Sequence, residues 1–178
     1  MLRMFAVFMM VLVLAASGFA AELVSMKLCP AKDYDSATKD CAAGKGFEGS
    51  GIVVDLSKVA SLQFLTSVKT AEDVEIYHVW IAPGKASTKV LVYDSTKKSL
   101  QEANAADLEW LKERKIEGAR VIIKMTASAS ERFRLRSSKK VTPGMAGLWK
   151  VQVYDSMQPT CLGEMEFTLA LSDKGITM

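Results

Sequence analysis

The sequence has few of the residues from which enzymes and metalloproteins usually build their sites. It contains one histidine, His78, and three cysteines in 178 residues. Structural zinc sites usually need about four cysteine or histidine ligands at short spacings, and no such spacing occurs, so we expect no metal ion. The triplet 137–139, Ser-Ser-Lys, lacks the Ser-x-x-Lys spacing of a serine–lysine nucleophile. We therefore expect no catalytic residue, no cofactor and no enzymatic activity.

Charge of one sign is not in excess either, and long hydrophobic runs are missing after the N-terminus. The 23 Lys and Arg residues are nearly balanced by 20 Asp and Glu residues, so no anionic partner is required. Secretion, indicated by the N-terminal pattern described next, also argues against nucleic acid as a ligand. An apolar run over residues 4–16 follows Arg3 and precedes Ser-Gly-Phe-Ala at residues 17–20, which places small residues at the two cleavage-site positions. This pattern is typical of a secretory signal peptide over residues 1–20. The alternative, an uncleaved membrane anchor, needs a span of about 20 apolar residues. We expect a periplasmic or secreted protein with no transmembrane segment after cleavage.

Three cysteines in an oxidising compartment predict one disulfide and one free thiol. We favour pairing of Cys29 with Cys41, because closing a short loop costs less chain entropy than closing a long one. Pairing of Cys161 with either of them would tie the N-terminal arm to the last hairpin, and this alternative stays open. Residues 21–51 are polar and rich in glycine, so we expect an irregular arm with a disulfide loop.

Two runs near the C-terminus alternate apolar and polar residues. Residues 149, 151 and 153 are apolar on one side of the first run, and residues 165, 167, 169 and 171 repeat the pattern in the second. This period of two predicts a β-hairpin with one buried face. Further strands are predicted at residues 52–56, 61–69, 74–82, 89–93, 121–127 and 132–138. The strand 74–82 is apolar on both faces and should be central in its sheet.

The hydrophobic period changes between residues 99 and 118. Asn104 is a suitable N-cap, Leu108 and Leu111 recur at helical spacing, and Gly118 is a natural stop. We predict one amphipathic helix inserted over residues 99–118. About seven short strands, one helix and no βαβ alternation predict an all-β fold, an antiparallel immunoglobulin-like β-sandwich over residues 52–172.

Three short motifs follow one another along the chain. They are Tyr77-His78-Val79-Trp80, Arg134-Leu135-Arg136-Ser137-Ser138-Lys139 and Gly147-Leu148-Trp149-Lys150-Val151. This series resembles the bacterial DUF2914 family, whose pattern is His-x-Trp, then Arg-x-x-Ser-x-Lys, then Gly-x-Trp-x-Val. The resemblance extends over about residues 62–171, and the helical segment and the cysteine-bearing arm depart from it. It implies a small extracytoplasmic β domain with His78, Trp80, Ser137 and Trp149 as motif positions, and it implies no activity.

Three features suggest a ligand site, and for each we favour a structural interpretation. His78 alternates with apolar neighbours, so we expect a buried, hydrogen-bonded histidine rather than a base or a metal ligand. The segment 44–49 has the G-x-G-x-x-G spacing without the preceding strand and following helix that a phosphate-binding loop needs. Asp33, Asp35 and Asp40 lack the glycine and the distal glutamate of a calcium loop, so we expect a solvated loop.

Basic residues are concentrated on one predicted strand. Arg132, Arg134 and Arg136 project from one side, with Lys139 just beyond. They form either a surface for an acidic partner, a lipid phosphate or an anionic glycan, or a solvated face that pairs with Glu164 and Glu166 of a neighbouring strand. Both interpretations stay open.

We therefore expect a non-enzymatic module that binds a protein or another envelope component. Its predicted contact residues are those of the basic strand and a tryptophan on the helix, namely Arg132, Arg134, Arg136, Lys139 and Trp110. One alternative is a glycan- or small-ligand-binding module that uses Trp80, Trp110 or Trp149 for stacking. Another is an uncharacterised hydrolase with paired carboxylates, because the distance between carboxylates cannot be read from a sequence.

Overall fold

The computed structural model describes residues 20–84 and 89–171; the predicted signal peptide lies outside the described residues except for Ala20. Within this part of the chain no helix is long and apolar enough to cross a membrane. The described elements, in chain order, are β1 (Glu22–Pro30), β2 (Tyr34–Asp35), β3 (Asp40–Cys41), β4 (Ile52–Asp55), β5 (Ser61–Thr70), β6 (Val74–Ile81), β7 (Leu91–Asp94), β8 (Ser99–Glu102), α1 (Ala105–Glu113), β9 (Ala119–Ala127), β10 (Ser130–Lys140), β11 (Gly147–Asp155) and β12 (Gly163–Ala170).

Two sheets of unequal width form the layers of a sandwich. The smaller sheet has the strand order β1-β5-β10, and the larger has the order β4-β12-β11-β6-β9-β7-β8. Neighbouring strands are antiparallel except in the pairs β4–β12 and β7–β9, which are parallel. Strands β2 and β3 form a separate two-stranded ribbon. The predicted mainly β sandwich with one helix is confirmed. The two sheets contain ten described strands rather than about seven, and two of the strand pairs are parallel where antiparallel pairing was predicted.

The main core lies between the inner faces of the two sheets. The larger sheet contributes fully or nearly fully buried side chains such as Ile76, Trp80 and Val153, and the smaller sheet contributes Phe64 and Val68. Alternation along each strand places these side chains on one face. Strand β6 is the middle strand of the seven, which confirms the prediction that it is central in its sheet. Its apolar residues are buried on both faces, in the main core on one side and beneath α1 on the other.

The helix α1 packs on the outer face of the larger sheet. Leu111 of α1 joins Val79, Ile122 and other outward-facing residues of the sheet in a second buried cluster. The helix starts with a capping box of two reciprocal hydrogen bonds. The Asn104 side chain accepts a hydrogen bond from the Asp107 N–H at 3.0 Å, and the Asp107 carboxylate accepts one from the Asn104 N–H at 3.1 Å. Asp107 also pairs with Lys124 of β9 at 2.7 Å, so the cap connects the helix to the sheet.

Two predicted extents are wrong. The segment 21–51 is not irregular throughout, because Glu22–Pro30 form β1 and pair with β5 along their length. The helix does not fill 99–118, because it covers only Ala105–Glu113 and Ser99–Glu102 form β8. Both strands lie at sheet edges. Strand β8 is mostly exposed, and the first six residues of β1 are exposed or half-buried. An edge strand with little burial carries little hydrophobic alternation, so its local sequence gives a weak signal.

Candidate functional site

A buried histidine connects the two sheets. His78 of β6 has its Nε2 atom 2.9 Å from the hydroxyl of Thr66 on β5 and its Nδ1 atom 2.9 Å from the hydroxyl of Ser137 on β10. Trp80 of β6 donates from its indole nitrogen to the same Ser137 hydroxyl at 3.2 Å. Three of the motif positions therefore meet in one hydrogen-bond network between the sheets.

The environment of this network keeps the histidine uncharged. His78 is fully buried, and the ring of Phe64 packs edge-on against it with 4.9 Å between the ring centroids. Burial disfavours the charged imidazolium and lowers the pKa of His78 to about 3. Ser137 is 3% exposed, so its hydroxyl is enclosed between the two sheets. The geometry is that of a structural hydrogen-bond network.

The arginines on the outer face of β10 contact the N-terminal arm. The guanidinium of Arg136 lies 4.5 Å from the ring centroid of Tyr34, and Arg134 donates a hydrogen bond to the backbone carbonyl of Thr38. Arg132 is exposed and lies at the irregular register between residues 130 and 133. The arm therefore covers part of the face that the sequence presented as a continuous basic stripe.

The interpretation that Glu164 and Glu166 pair with these arginines is wrong. Both carboxylates contact the ammonium group of Lys150, at 3.4 Å and 2.9 Å. Lys150 and the two glutamates belong to neighbouring strands of the larger sheet, whereas the arginines belong to the smaller one. Adjacency in the sheet could not be inferred from alternation, because the period of two is the same in every strand.

The disulfide joins Cys29 to Cys41, and this prediction is confirmed. Cys161 is a free, exposed thiol. The bridge closes the loop that contains Tyr34 and Thr38, the two contacts of the β10 arginines. It therefore holds the arm close to the outer face of the smaller sheet.

The three tryptophans differ in their availability for a ligand. Trp80 is 1% exposed and Trp149 is 4% exposed, so neither presents a face for stacking. Trp110 on α1 is partly exposed; its ring packs against Tyr77 and Tyr154, with centroid distances of 5.1 Å and 5.4 Å. The glycan-binding alternative named all three residues, and the burial of two of them contradicts it at those positions.

The difference in width between the sheets creates a cleft. Strand β10 is the edge of the smaller sheet and faces β6 through the contact between Ser137 and His78. In the larger sheet β9, β7 and β8 follow beyond β6, so the last two strands extend past the edge of β10. A cleft of about 570 Å³ lies where these strands extend past β10. Its lining comes from β7 to β10: Leu91, Tyr93, Ser95, Leu100, Val121, Ile123, Arg136, Ser137, Ser138, Lys139 and Lys140.

The cleft has an apolar floor and a basic rim. On the floor, Leu100 is 62% exposed and Leu91 is 36% exposed. On the rim, the described lining includes three cations, Arg136, Lys139 and Lys140, and no carboxylate. Lys139 is half-buried, and its burial, together with the nearby charge of Arg120, lowers the pKa of its ammonium group. Such a surface complements a ligand that carries apolar groups and negative charge.

The sequence predicted the basic side of this cleft and missed the apolar side. Arg136 and Lys139 were candidate residues, while Leu91, Tyr93 and Leu100 were not. These three residues reach the cleft because β7 pairs in parallel with β9, and β8 then pairs with β7. Parallel pairing between separate segments leaves no local pattern in the sequence. The only signal available was an apolar residue on each of two short strands, Leu91 on β7 and Leu100 on the edge strand β8.

The fold and the buried network define a β-sandwich domain whose two sheets are joined by histidine, serine and tryptophan side chains. Residues 108–169 match the model of the family described as Protein of unknown function (DUF2914). The match confirms the family resemblance over this segment, which holds Ser137 and Trp149, and it begins further along the chain than residue 62. No curated protein shows a significant match to the chain.

Proposed function

We propose that the protein is a non-enzymatic binding module of the periplasm or the extracellular space that holds a protein partner in the cleft between β10 and the β7–β8 hairpin. The observation that carries this proposal is the exposed apolar floor beside a basic rim in one concave surface. The extracytoplasmic location is supported by the signal-like pattern of residues 1–20 and by the Cys29–Cys41 disulfide.

The apolar floor supplies a reason for binding. Leu91 and Leu100 expose a large fraction of their surface next to the ring of Tyr93. Removal of such surface from water contributes roughly 25 cal/mol for each Å², and contiguous exposed apolar patches mark interaction surfaces. A partner that covers the floor removes this apolar surface from water, and the complex is stabilised relative to the two separate proteins.

The basic rim supplies selectivity. Neither Lys139 nor Lys140 forms a salt bridge with any described residue. Cations that flank an apolar patch attract acidic partners and increase the rate of association more than the affinity. The rim therefore favours an acidic protein surface over a neutral or basic one.

The test places a photo-crosslinking amino acid at Leu100 of the full chain in its native host. We expect one discrete protein adduct after illumination, at least fivefold weaker when Lys139→Glu and Lys140→Glu are added. Two controls match these changes: the crosslinker at Leu148, which is 45% exposed on β11, and the pair Lys112→Glu and Lys115→Glu at and just beyond the helix. No adduct at Leu100, or equal adducts at Leu148, would contradict the proposal.

A further inference from the structure

The partner's binding mode follows from the edge that borders the cleft. We propose that an extended segment of the partner adds to the smaller sheet as a fourth strand beside β10, and that acidic and apolar residues alternate along this segment. The inference rests on the proposed function and goes further, because it names the backbone contacts and the side-chain pattern of the partner.

The first step is the free edge of β10. This strand pairs with β5 on one side, for example Arg136 with Leu65 and Lys139 with Leu62. It is the outermost strand of its sheet, and no described strand pairs with its other side. An unpaired strand edge presents a row of N–H and C=O groups that a further strand satisfies. Main-chain hydrogen bonding to such an edge is a common way to recognise an extended peptide.

The second step is the space beside that edge. Neighbouring strands lie about 4.8 Å apart, so a strand added to β10 lies over the part of the larger sheet that extends past it. There it covers the apolar floor of β7 and β8. The five residues of β10 that line the cleft, 136–140, span about 17 Å in an extended chain. A segment of five or six residues therefore fills the cleft.

The third step is the alternation of side chains. Along β10, Leu135 and Ser137 are buried, and Lys139, which alternates with them, is half-buried in the lining of the cleft. Arg136 and Lys140 are exposed on the outer face, Arg136 beside the ring of Tyr34. An added strand has the same period, so its inward side chains meet Leu91 and Leu100, and its outward side chains lie opposite the two cations. Opposite charges across neighbouring strands are favourable. The segment therefore has apolar residues inward and acidic residues outward.

The same charges disfavour a second copy of the chain. If the edge strands of two copies paired with each other, the arginines and lysines of one β10 would lie against those of the other. Like charges directly opposite each other on paired strands are destabilising. A partner with carboxylates at these positions gives the complementary arrangement.

The experiment selects peptides with the full secreted chain from a phage library of random decapeptides. We expect enriched sequences in which Asp or Glu alternates with apolar residues. The best peptide is then synthesised unmodified and in two forms N-methylated at alternate positions, so that each form blocks one edge of the peptide. One form should bind at least tenfold more weakly than the unmodified peptide, and the other should bind about equally, because only one edge faces β10. Leu100→Glu should also weaken binding tenfold, and Leu148→Glu should not.

The outcomes separate the two proposals. If both N-methylated forms bind as well as the unmodified peptide, strand addition is overturned while the cleft remains a binding site. If Leu100→Glu has no effect, the peptides bind elsewhere and both proposals are overturned. If no peptide is enriched, strand addition is overturned. Binding of phosphatidylglycerol vesicles that is lost in the Lys139→Glu, Lys140→Glu variant would then assign the cleft to a lipid headgroup.

Discussion

His78 and Trp80, two residues apart on β6, share the hydroxyl of Ser137 on β10. The spacing has a direct cause, since residues i and i+2 of a strand project to the same face. Both side chains therefore reach into the space between the sheets, where one serine is a hydrogen-bond partner for both. The His-x-Trp spacing thus positions two ring systems around one hydroxyl, and it gives the motif a structural role.

The substitution Ser137→Ala should destabilise the fold markedly. It removes the partner of the Trp80 indole N–H and of the His78 Nδ1 atom, and each buried polar group left without a partner costs about 1–3 kcal/mol. We expect a loss of about 2–4 kcal/mol in the free energy of unfolding, measured by urea denaturation. Ser138→Ala is the matched control. Ser138 is exposed and its one 3.3 Å bond from Gln63 is only part-buried, so water can replace its hydroxyl and the loss should be no more than about 1 kcal/mol. Equal losses would contradict the network.

The stability should fall as the pH falls below neutrality. Burial lowers the pKa of His78 to about 3 in the folded protein, whereas in the unfolded chain the histidine has its ordinary pKa of 6.5. The unfolded chain therefore takes up a proton that the folded protein does not, and unfolding becomes more favourable as the pH falls from about 6.5 toward 3. The loss approaches about 1.4 kcal/mol for each pH unit, or about 2 kcal/mol between about pH 7 and pH 5.

Urea denaturation at several pH values above about 5 checks this dependence, because ordinary Asp and Glu carboxyl groups, with pKa values of about 4, are mostly ionised in that range. His78→Asn is the control: it should be less stable at every pH, and its free energy of unfolding should change little over the same interval. The same slope in both proteins would show that His78 is not the titrating group.

The helix cap should be a second sensitive position. Asp107 is 6% exposed, its carboxylate accepts a hydrogen bond from the Asn104 N–H, and it forms a salt bridge with Lys124. Asp107→Ala breaks the cap and leaves the lysine without its carboxylate, and we expect a loss of about 1–3 kcal/mol. Thermal unfolding measures it, and the fluorescence of Trp110 should shift as α1 loosens from the sheet. Glu109→Ala, an exposed change on the same helix, should alter stability by less than about 0.5 kcal/mol.

Removal of the disulfide should release the arm from β10. The double variant Cys29→Ser, Cys41→Ser loses roughly 3 kcal/mol of loop-closure stabilisation, and the contacts of Tyr34 and Thr38 with the arginines weaken with it. Trypsin should then cleave after Arg134 and Arg136 faster than in the unmodified protein, as followed by mass spectrometry under native conditions. Cys161→Ser should leave the cleavage rate unchanged, and an unchanged rate in the double variant would contradict the docking of the arm.

Local patterns predicted a large part of this fold. The alternation of β11 and β12 predicted their hairpin, and Trp149 does lie opposite Phe167. The capping residue Asn104 predicted the start of the helix. The short separation of the two cysteines favoured the pairing that forms. In each case the physical cause acts within about a dozen residues, so it leaves its mark in consecutive sequence.

The sequence by itself determined the mainly β character, the hairpin, the helix start and the disulfide loop. Only the tertiary structure decided that β1 joins the smaller sheet, that the arm contacts Arg134 and Arg136, and that Leu91 and Leu100 lie across a cleft from Lys139. These relationships depend on which distant strands become neighbours. That choice follows from the packing of two whole faces against each other, a sum over many weak contacts, and no single stretch of sequence carries it.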